Sequence, residues 1–397
     1  MKRSFMVLAL LAGFVTTAEA QSLFSTRGLG TPVDPVDARA RALGNSGIGL
    51  LGLNGSLVNP AELAGIPRRG VSATLQPFWG NDQVDDLDAN VSGTRFPVIQ
   101  IIYPMSERLV LGLGYGAFLD QSWAATTGGT EVIGADTVAV SDVLRNTGGI
   151  GQLRLSAGYT LSSKIALGAA AGLYTGNIDR SLTRTFPDSG IALDPFSTRS
   201  RWDYTAPFVT VGTRIDPNPR VRFGAALTVS GNLDANGREG PAEDVSYELP
   251  LRASAGMSAI VAPRLMVAAS GNWSGWSGDP DFAAPGTLVG TVAGSSWDVG
   301  VGLESQSLRT PSRIFPLRLG FRYGQLPFHE VGEEQPKEWV VSGGIGFHLA
   351  GDDFGPLAVA DLGIERGSRT GLGGTLLSSG IDETFWRVSA TISLFGR

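Results

Sequence analysis

From residue 70 to the C-terminus the chain is a succession of segments, roughly ten residues each, in which every second side chain is apolar. In one of them Leu153, Leu155, Ala157, Tyr159 and Leu161 share one face, while Gln152, Arg154, Ser156, Gly158 and Thr160 share the other. Successive side chains of an extended chain point to opposite faces, so a period of two is a strand period. A chain patterned this way folds as all-β. It is either a soluble sandwich with its apolar face inward or a closed barrel with that face in lipid, and the residues that precede the segments decide between the two.

Lys2 and Arg3 give a positive start, residues 5–15 form an apolar stretch too short to span a bilayer as a helix, and Ala18-Glu19-Ala20 is a small-residue cleavage site before Gln21. Residues 1–20 therefore read as a secretory signal peptide. No later run reaches the length of a spanning helix, so an exported chain that stays in a membrane does so as a barrel. The absence of cysteine excludes a lipidated N-terminal cysteine and any disulfide framework. With 17% charged residues and a mean hydropathy of +0.09, the chain spreads its hydrophobicity thinly, as barrels do. A net charge of −6 argues against a nucleic-acid partner, which wants a basic face.

The alternation places strands near 71–79, 94–103, 108–118, 150–161, 164–176, 201–215, 220–232, 245–260, 264–276, 296–305, 313–324, 338–350, 357–366 and 383–395. That is about fourteen, an even number as in bacterial single-chain barrels. The connections alternate as well. Short links at 104–107, 162–163, 216–219, 261–263, 306–312 and 351–356 separate long ones at 80–93, 119–149, 177–200, 233–244, 277–295, 325–337 and 367–382. Short turns are periplasmic and long loops extracellular in such barrels, which puts both termini in the periplasm and the barrel in the outer membrane of a Gram-negative-type cell. A missed adjacent pair would not disturb the alternation, so twelve or sixteen strands also satisfy it.

Trp79, Trp273, Trp276, Trp297, Trp339 and Trp386 fall near the long-loop ends of these strands, where an aromatic girdle sits. The polar parity leaves Arg154, Arg222, Arg252, Asp298, Glu304, Arg318, Arg322, His348 and Arg387 facing inward, since charges in mid-membrane lipid cost on the order of a few kcal/mol each. They form an ion-paired lumen, or Arg154, Arg318 or Arg322 receives an anionic head group through the two-pronged guanidinium geometry. Trp123, Phe186, Ile191, Leu193 and Phe196 are apolar residues in long loops, candidates for an outer landing patch or for loop packing.

Residues 21–69 do not read as strand. Residues 38–43 are a short helical stretch capped by Asp37, followed by a glycine-rich run. About fourteen strands leave a bore that is either open or plugged, and an N-terminal segment is the natural plug. The division expected is thus 1–20 signal peptide, 21–69 hatch and 70–397 transmembrane antiparallel barrel.

Ala42-Leu43-Gly44-Asn45-Ser46-Gly47, then Leu57-Val58-Asn59-Pro60-Ala61-Glu62-Leu63-Ala64 before the first strand, resembles the N-terminal hatch of the FadL family, outer-membrane transporters of long-chain fatty acids and other hydrophobic compounds. Tyr247-Glu248-Leu249-Pro250-Leu251-Arg252 and Phe315-Pro316-Leu317-Arg318-Leu319-Gly320-Phe321-Arg322-Tyr323 resemble its later strands. The resemblance implies passive uptake: a hydrophobic small molecule lands among the outer loops, reaches a pocket above the hatch and leaves sideways through a gap in the wall. It also implies that Asn59, Pro60 and Ala61 contact the wall near that gap and shift on ligand binding, although Asn-Pro is an ordinary turn dipeptide too. A monomer in contact with membrane lipids and lipopolysaccharide, inserted by the barrel assembly machinery, is the matching expectation, with no cofactor or metal.

The hatch-like start is also similar to that of FadL relatives resembling barrels that serve as scaffolds or shuttles in protein secretion or envelope assembly, which is the rival expectation; a plain porin is the third. An enzyme is not expected. His329 stands beside Glu330 without a serine partner in sequence, and His348 lies near a strand end. Asp82, Asp85, Asp86 and Asp88 lack the glycine and terminal glutamate of a calcium loop and read as a solvated loop tip. At the C-terminus Phe395 falls on the opposite parity from Trp386, Val388, Ala390, Ile392 and Leu394, and Gly396-Arg397 follow it.

Overall fold

The computed structural model describes residues 22–84, 87–133, 136–187, 193–276, 291–310, 313–330, 332, 334–352, 355–371 and 381–396. Fourteen long strands make the wall: β1 (Gly70–Val84), β2 (Leu87–Pro104), β3 (Leu109–Asp120), β4 (Asp136–Thr160), β5 (Ile165–Thr185), β6 (Phe196–Asn218), β7 (Val221–Ser230), β8 (Leu251–Ala262), β9 (Leu265–Gly275), β10 (Ser296–Ser305), β11 (Leu317–Gln325), β12 (Lys337–Asp352), β13 (Gly355–Gly371) and β14 (Ile381–Phe395). Each pairs antiparallel with its sequence neighbours in this series, and β14 returns to β1 through Val71↔Leu394, so the sheet closes. Among the described residues no helix is long and apolar enough to cross a membrane.

The faces sort as the alternation requires. On β4 Leu155 is 60% exposed, whereas its neighbours Arg154 and Ser156 are buried. Trp79, Trp273, Trp297, Trp339 and Trp386 are all exposed on the outer face near the long-loop end, a girdle between lipid and head groups. Trp276 is the exception. Three residues beyond Trp273, it has the opposite parity and packs inside against Phe328, ring centroids 5.0 Å apart.

Several stretches expected as loops are strand. β1 and β2 extend across most of 80–93, and the residues expected to link β3 and β4 contain a strand of their own, Trp123–Ile133, paired with the start of β4. β4, β5 and β6 run for 25, 21 and 23 residues, although about 9–11 suffice to cross a bilayer. Beyond the bilayer both faces meet water, so the apolar alternation disappears while the backbone ladder continues.

The start of the chain corrects a further expectation. The first described residue, Ser22, lies not at the short-turn end but at the long-loop end, its hydroxyl donating to Glu383 at the start of β14. Residues 22–69 then descend to the short-turn end, where β1 begins. Asp82, expected in a solvated tip, is buried and accepts the Leu23 amide; Asp85 and Asp86 lie outside the described residues. Phe395 points inward because its ring lies over Gly70, where a side chain would collide with it, and Gly396 N–H then donates to the Arg69 carbonyl.

Leu155→Arg places a guanidinium on the lipid face and should destabilise the barrel by about 2–4 kcal/mol. Equilibrium unfolding in urea from lipid vesicles measures it.

Candidate functional site

Residues 22–69 are held by local caps and by the inner wall. The Asp37 carboxylate accepts the Ala40 amide and starts helix α1 (Ala38–Ala42). The Asn59 side chain accepts the Ala61 amide and starts a 3₁₀ turn over Pro60–Leu63. Arg39 donates two hydrogen bonds to Glu304 of β10 and one each to the Leu51 and Leu53 carbonyls.

Backbone meets backbone along this contact because the facing wall residues are glycines. Gly158, Gly168 and Gly212 are cross-strand partners on β4, β5 and β6, and they receive Asn59 to Ala64. Gly224 and Gly256 are paired on β7 and β8 and receive Ile48-Gly49; Gly302 and Gly320 are paired on β10 and β11 and receive Leu43-Gly44. A Cβ on Gly302 would stand 2.7 Å from the Leu43 Cα, and one on Gly256 2.5 Å from the Ile48 carbonyl oxygen.

Among the described residues, the wall is interrupted between β2 and β3. The β2–β3 ladder runs from Pro104↔Val110 only as far as Val98↔Gly116. Phe96 and Pro97 bulge there, with Val98 opposite Thr74 but Arg95 already opposite Gln76, and proline supplies no ladder donor. Above the break β3 continues with β4 up to Asp120↔Gly149, leaving its other edge without β2. The N-terminal segment takes that edge: Thr31 and Pro32 pair antiparallel with Asp120 and Leu119, and Val33 N–H donates to the Phe118 carbonyl at 2.8 Å. A cavity of about 230 Å³ opens at the break, lined by Val33, Arg95, Phe96, Tyr115, Ala117 and Leu119 among others.

The interior is divided chemically. Toward β3–β6 it is aromatic, with Phe118 stacked on Tyr174 at 4.3 Å, Tyr174 against Phe208 at 4.5 Å, and Trp202, Tyr204, Tyr247 and Leu249 in the same cluster. Toward β10–β14 it is ionic. Arg318 pairs with Glu304 at 2.8 Å and Asp361 at 2.6 Å; Arg322, Arg369 and Arg387 all pair with Glu338. Arg154 and Arg252 stand between the two regions. Arg154 donates to Ser156 and to the Leu57 carbonyl, and Arg252 donates to the Tyr174 hydroxyl while its guanidinium lies 4.8 Å from the Phe118 ring centre. Among the described residues neither meets a carboxylate at ion-pair distance, and Arg154 Nη2 and Arg252 Nε are buried without a hydrogen-bond partner. Both line a small cavity of about 70 Å³.

Of the three head-group candidates, Arg318 and Arg322 are thus consumed by carboxylates and Arg154 is not. Arg252, grouped in sequence only with the general lumen set, joins it. Asn59-Pro60-Ala61 rest on β5 and β6, with Asn59 Nδ2 donating to the Thr213 carbonyl at 2.9 Å, and not at the β2–β3 break. The outer apolar residues are not brought together. Trp123 is buried beside β4, Phe186 is half-buried, and Phe196 is exposed with Arg184 over its ring; Ile191 lies outside the described residues. His329 and Glu330 fall in a short strand paired with Thr291–Ala293.

No protein-family model and no curated protein matches the chain. Solved structures do. A Pseudomonas aeruginosa FadL homologue is 14% identical, covering 92% of this chain and 99% of that one with a TM-score of 0.61. The Ralstonia pickettii toluene transporter TbuX is 16% identical over 94% of this chain and all of that one, with a TM-score of 0.60. The monoaromatic hydrocarbon channel CymD is 15% identical over 92% and 98%, with a TM-score of 0.56. The fold of this chain, a closed 14-strand antiparallel barrel, is therefore that of these solved structures over nearly its full length.

Gly212→Val drives a side chain into Asn59 and should unseat residues 59–64 while the barrel still forms. The expected outcome is unchanged heat-modifiable migration with proteolysis newly admitted at Arg68 or Arg69; equal resistance would contradict the contact.

Proposed function

We propose that the protein is an outer-membrane channel for passive uptake of small hydrophobic molecules, in which residues 22–69 plug the bore and the cargo leaves sideways between β2 and β3. The observation that carries this reading is the N-terminal strand pairing at the break, because it makes the plug and the gate one piece of backbone. Cargo entering at the long-loop end meets the aromatic cluster, where each buried methylene stabilises it by about 0.8 kcal/mol. The ionic half offers it nothing, since its charges neutralise one another.

Release of Thr31 to Val33 from β3 opens the break toward lipid. Each backbone hydrogen bond contributes about 1 kcal/mol net where water can replace it and several where it cannot, so the cargo shifts that equilibrium by binding the released state more tightly than the seated one by a few kcal/mol. Sideways exit spares the cargo a return to water. The solved structures of like fold include, by name, a FadL homologue, a toluene transporter and a monoaromatic hydrocarbon channel. Here Arg154 and Arg252 favour an apolar molecule that carries a carboxylate, of the long-chain fatty acid kind, with its chain along Phe118, Tyr174 and Phe208.

Pro32→Cys with Leu119→Cys joins residues that face each other across the ladder, within disulfide reach in a chain that has no other cysteine. Oxidised, the variant should lose uptake of toluene and of oleate alike; a reductant should restore both. Arg154→Gln should weaken oleate binding about tenfold or more, the range of one hydrogen bond to a charged group, and leave toluene unchanged. An equal effect on the two probes would remove the head-group assignment but not the gate.

A further inference from the structure

The backbone ladder between β2 and β3 stops at Val98↔Gly116, yet two side chains cross the break above it. Arg95 of β2 and Asp120 of β3 form an ion pair at 3.3 Å, their side chains 14% and 12% exposed. Arg95 is also held from the β1 side, its Nε donating to the Gln76 side-chain oxygen at 3.0 Å. Asp120 uses its other carboxylate oxygen to accept the Ser122 amide at 3.1 Å, and its backbone is the ladder partner of Thr31 in the N-terminal strand. The pair therefore ties both lips of the break to the segment that covers it.

The same arginine stands between two cavities. Val33 and Arg95 line both the break cavity and a polar one of about 90 Å³ inside the lumen. That inner cavity shares Asp34, Asn272 and Ser274 with the small one beside Arg154 and Arg252. A carboxylate that leaves Arg154 and Arg252 along this path meets Arg95 next to lipid, the one cation among the residues lining the break. An apolar chain has a track beside it, since Leu119 belongs to the aromatic cluster and also lines the break. Phe96, Tyr115 and Ala117 continue that lining, and a carboxylate among them without a partner is costly.

We infer that Arg95 is a second receiving residue for a carboxylate cargo, placed at the exit, and that the cargo unlocks the break by taking the Arg95 guanidinium from Asp120. The inference rests on the sideways route proposed above and adds what opens it. A guanidinium pairs with either carboxylate through the same two-pronged geometry, so Arg95 is not left without a counter-charge during the exchange. Asp120 keeps the Ser122 amide meanwhile and recovers the arginine once the cargo enters lipid. A neutral molecule has nothing to exchange and passes only when the pair parts unaided.

Initial uptake of oleate and of toluene by cells carrying each variant tests this, with heat-modifiable migration showing a folded barrel. Asp120→Asn retains an acceptor for the Ser122 amide and removes the competing charge. Toluene should then enter about fivefold faster or more, and oleate no more slowly. Arg95→Gln also parts the pair but leaves Asp120 facing the cargo carboxylate. Toluene should again enter about fivefold faster or more, while oleate slows about tenfold or more, the range of one hydrogen bond to a charged group. Arg95→Lys keeps the charge and should hold both probes within about threefold of the unaltered protein. A loosened barrel would shift the two probes alike. Failure of any one of these results in a folded barrel overturns the assignment, and Asp120→Asn with Arg95→Lys decides it if Arg95→Gln does not fold. The oxidised Pro32→Cys, Leu119→Cys variant separates that failure from failure of the route: if it still blocks both probes, the sideways gate stands and the ion-pair exchange alone falls.

Discussion

An unpaired strand edge in lipid costs several kcal/mol per exposed backbone group, and the architecture answers to that constraint. Among the described residues each wall strand is laddered to both of its neighbours, with local bulges. At the β2–β3 joint β2 turns away from β3 at Phe96-Pro97, and the freed edge is paired by Thr31–Pro32 from outside the wall. The position of the N-terminal strand follows from this need, and so does Gly30 beside it. With φ at +91° and its α-carbon against the Asp120 carbonyl, that residue tolerates no side chain.

Seating that strand requires the rest of residues 22–69 to lie close against the inner wall. Side chains on the facing positions would hold the two backbones apart. Cross-strand glycines on β4 to β6, β7 and β8, β10 and β11, and β12 and β13 remove them, which accounts for many of the 55 glycines of the chain. The polar half of the interior is then closed by arginine–carboxylate pairs, while the half nearest the break on the β3 side stays aromatic. The aromatic half extends toward the edge that the N-terminal strand covers, which is the path the proposed function gives to an apolar molecule.

Much of this was legible in the residues. The period of two and the rhythm of the links put the number of wall strands near fourteen, with twelve or sixteen left open, because lipid on one face and lumen on the other force apolar and polar residues to alternate. The same logic fails where that asymmetry ends. The extensions of β4 to β6 carry Thr, Ser, Asp and Arg on both faces, and Trp276 sits one parity step off its neighbour. Asp37 and Asn59 are readable as caps because their chemistry is local. The Gly158, Gly168 and Gly212 track is not, since its members are separated by up to 54 positions and meet only through register. Nor does sequence show which lumen arginines lack a carboxylate, because Arg154 and Arg318 differ only in what stands across the sheet. Pro97 was the one local mark of the break, a residue without a donor in an otherwise regular strand.

Hydrogen exchange at the Val33 amide, in barrels reconstituted into lipid nanodiscs, tests the gate most directly, because that N–H is given to the Phe118 carbonyl at 2.8 Å only while the N-terminal strand is seated. Saturation with toluene should accelerate its exchange at least tenfold and leave the β4–β5 ladder unchanged. Equal protection of Val33 with and without toluene, in a preparation that still passes toluene into lipid, would contradict a sideways route gated by this strand.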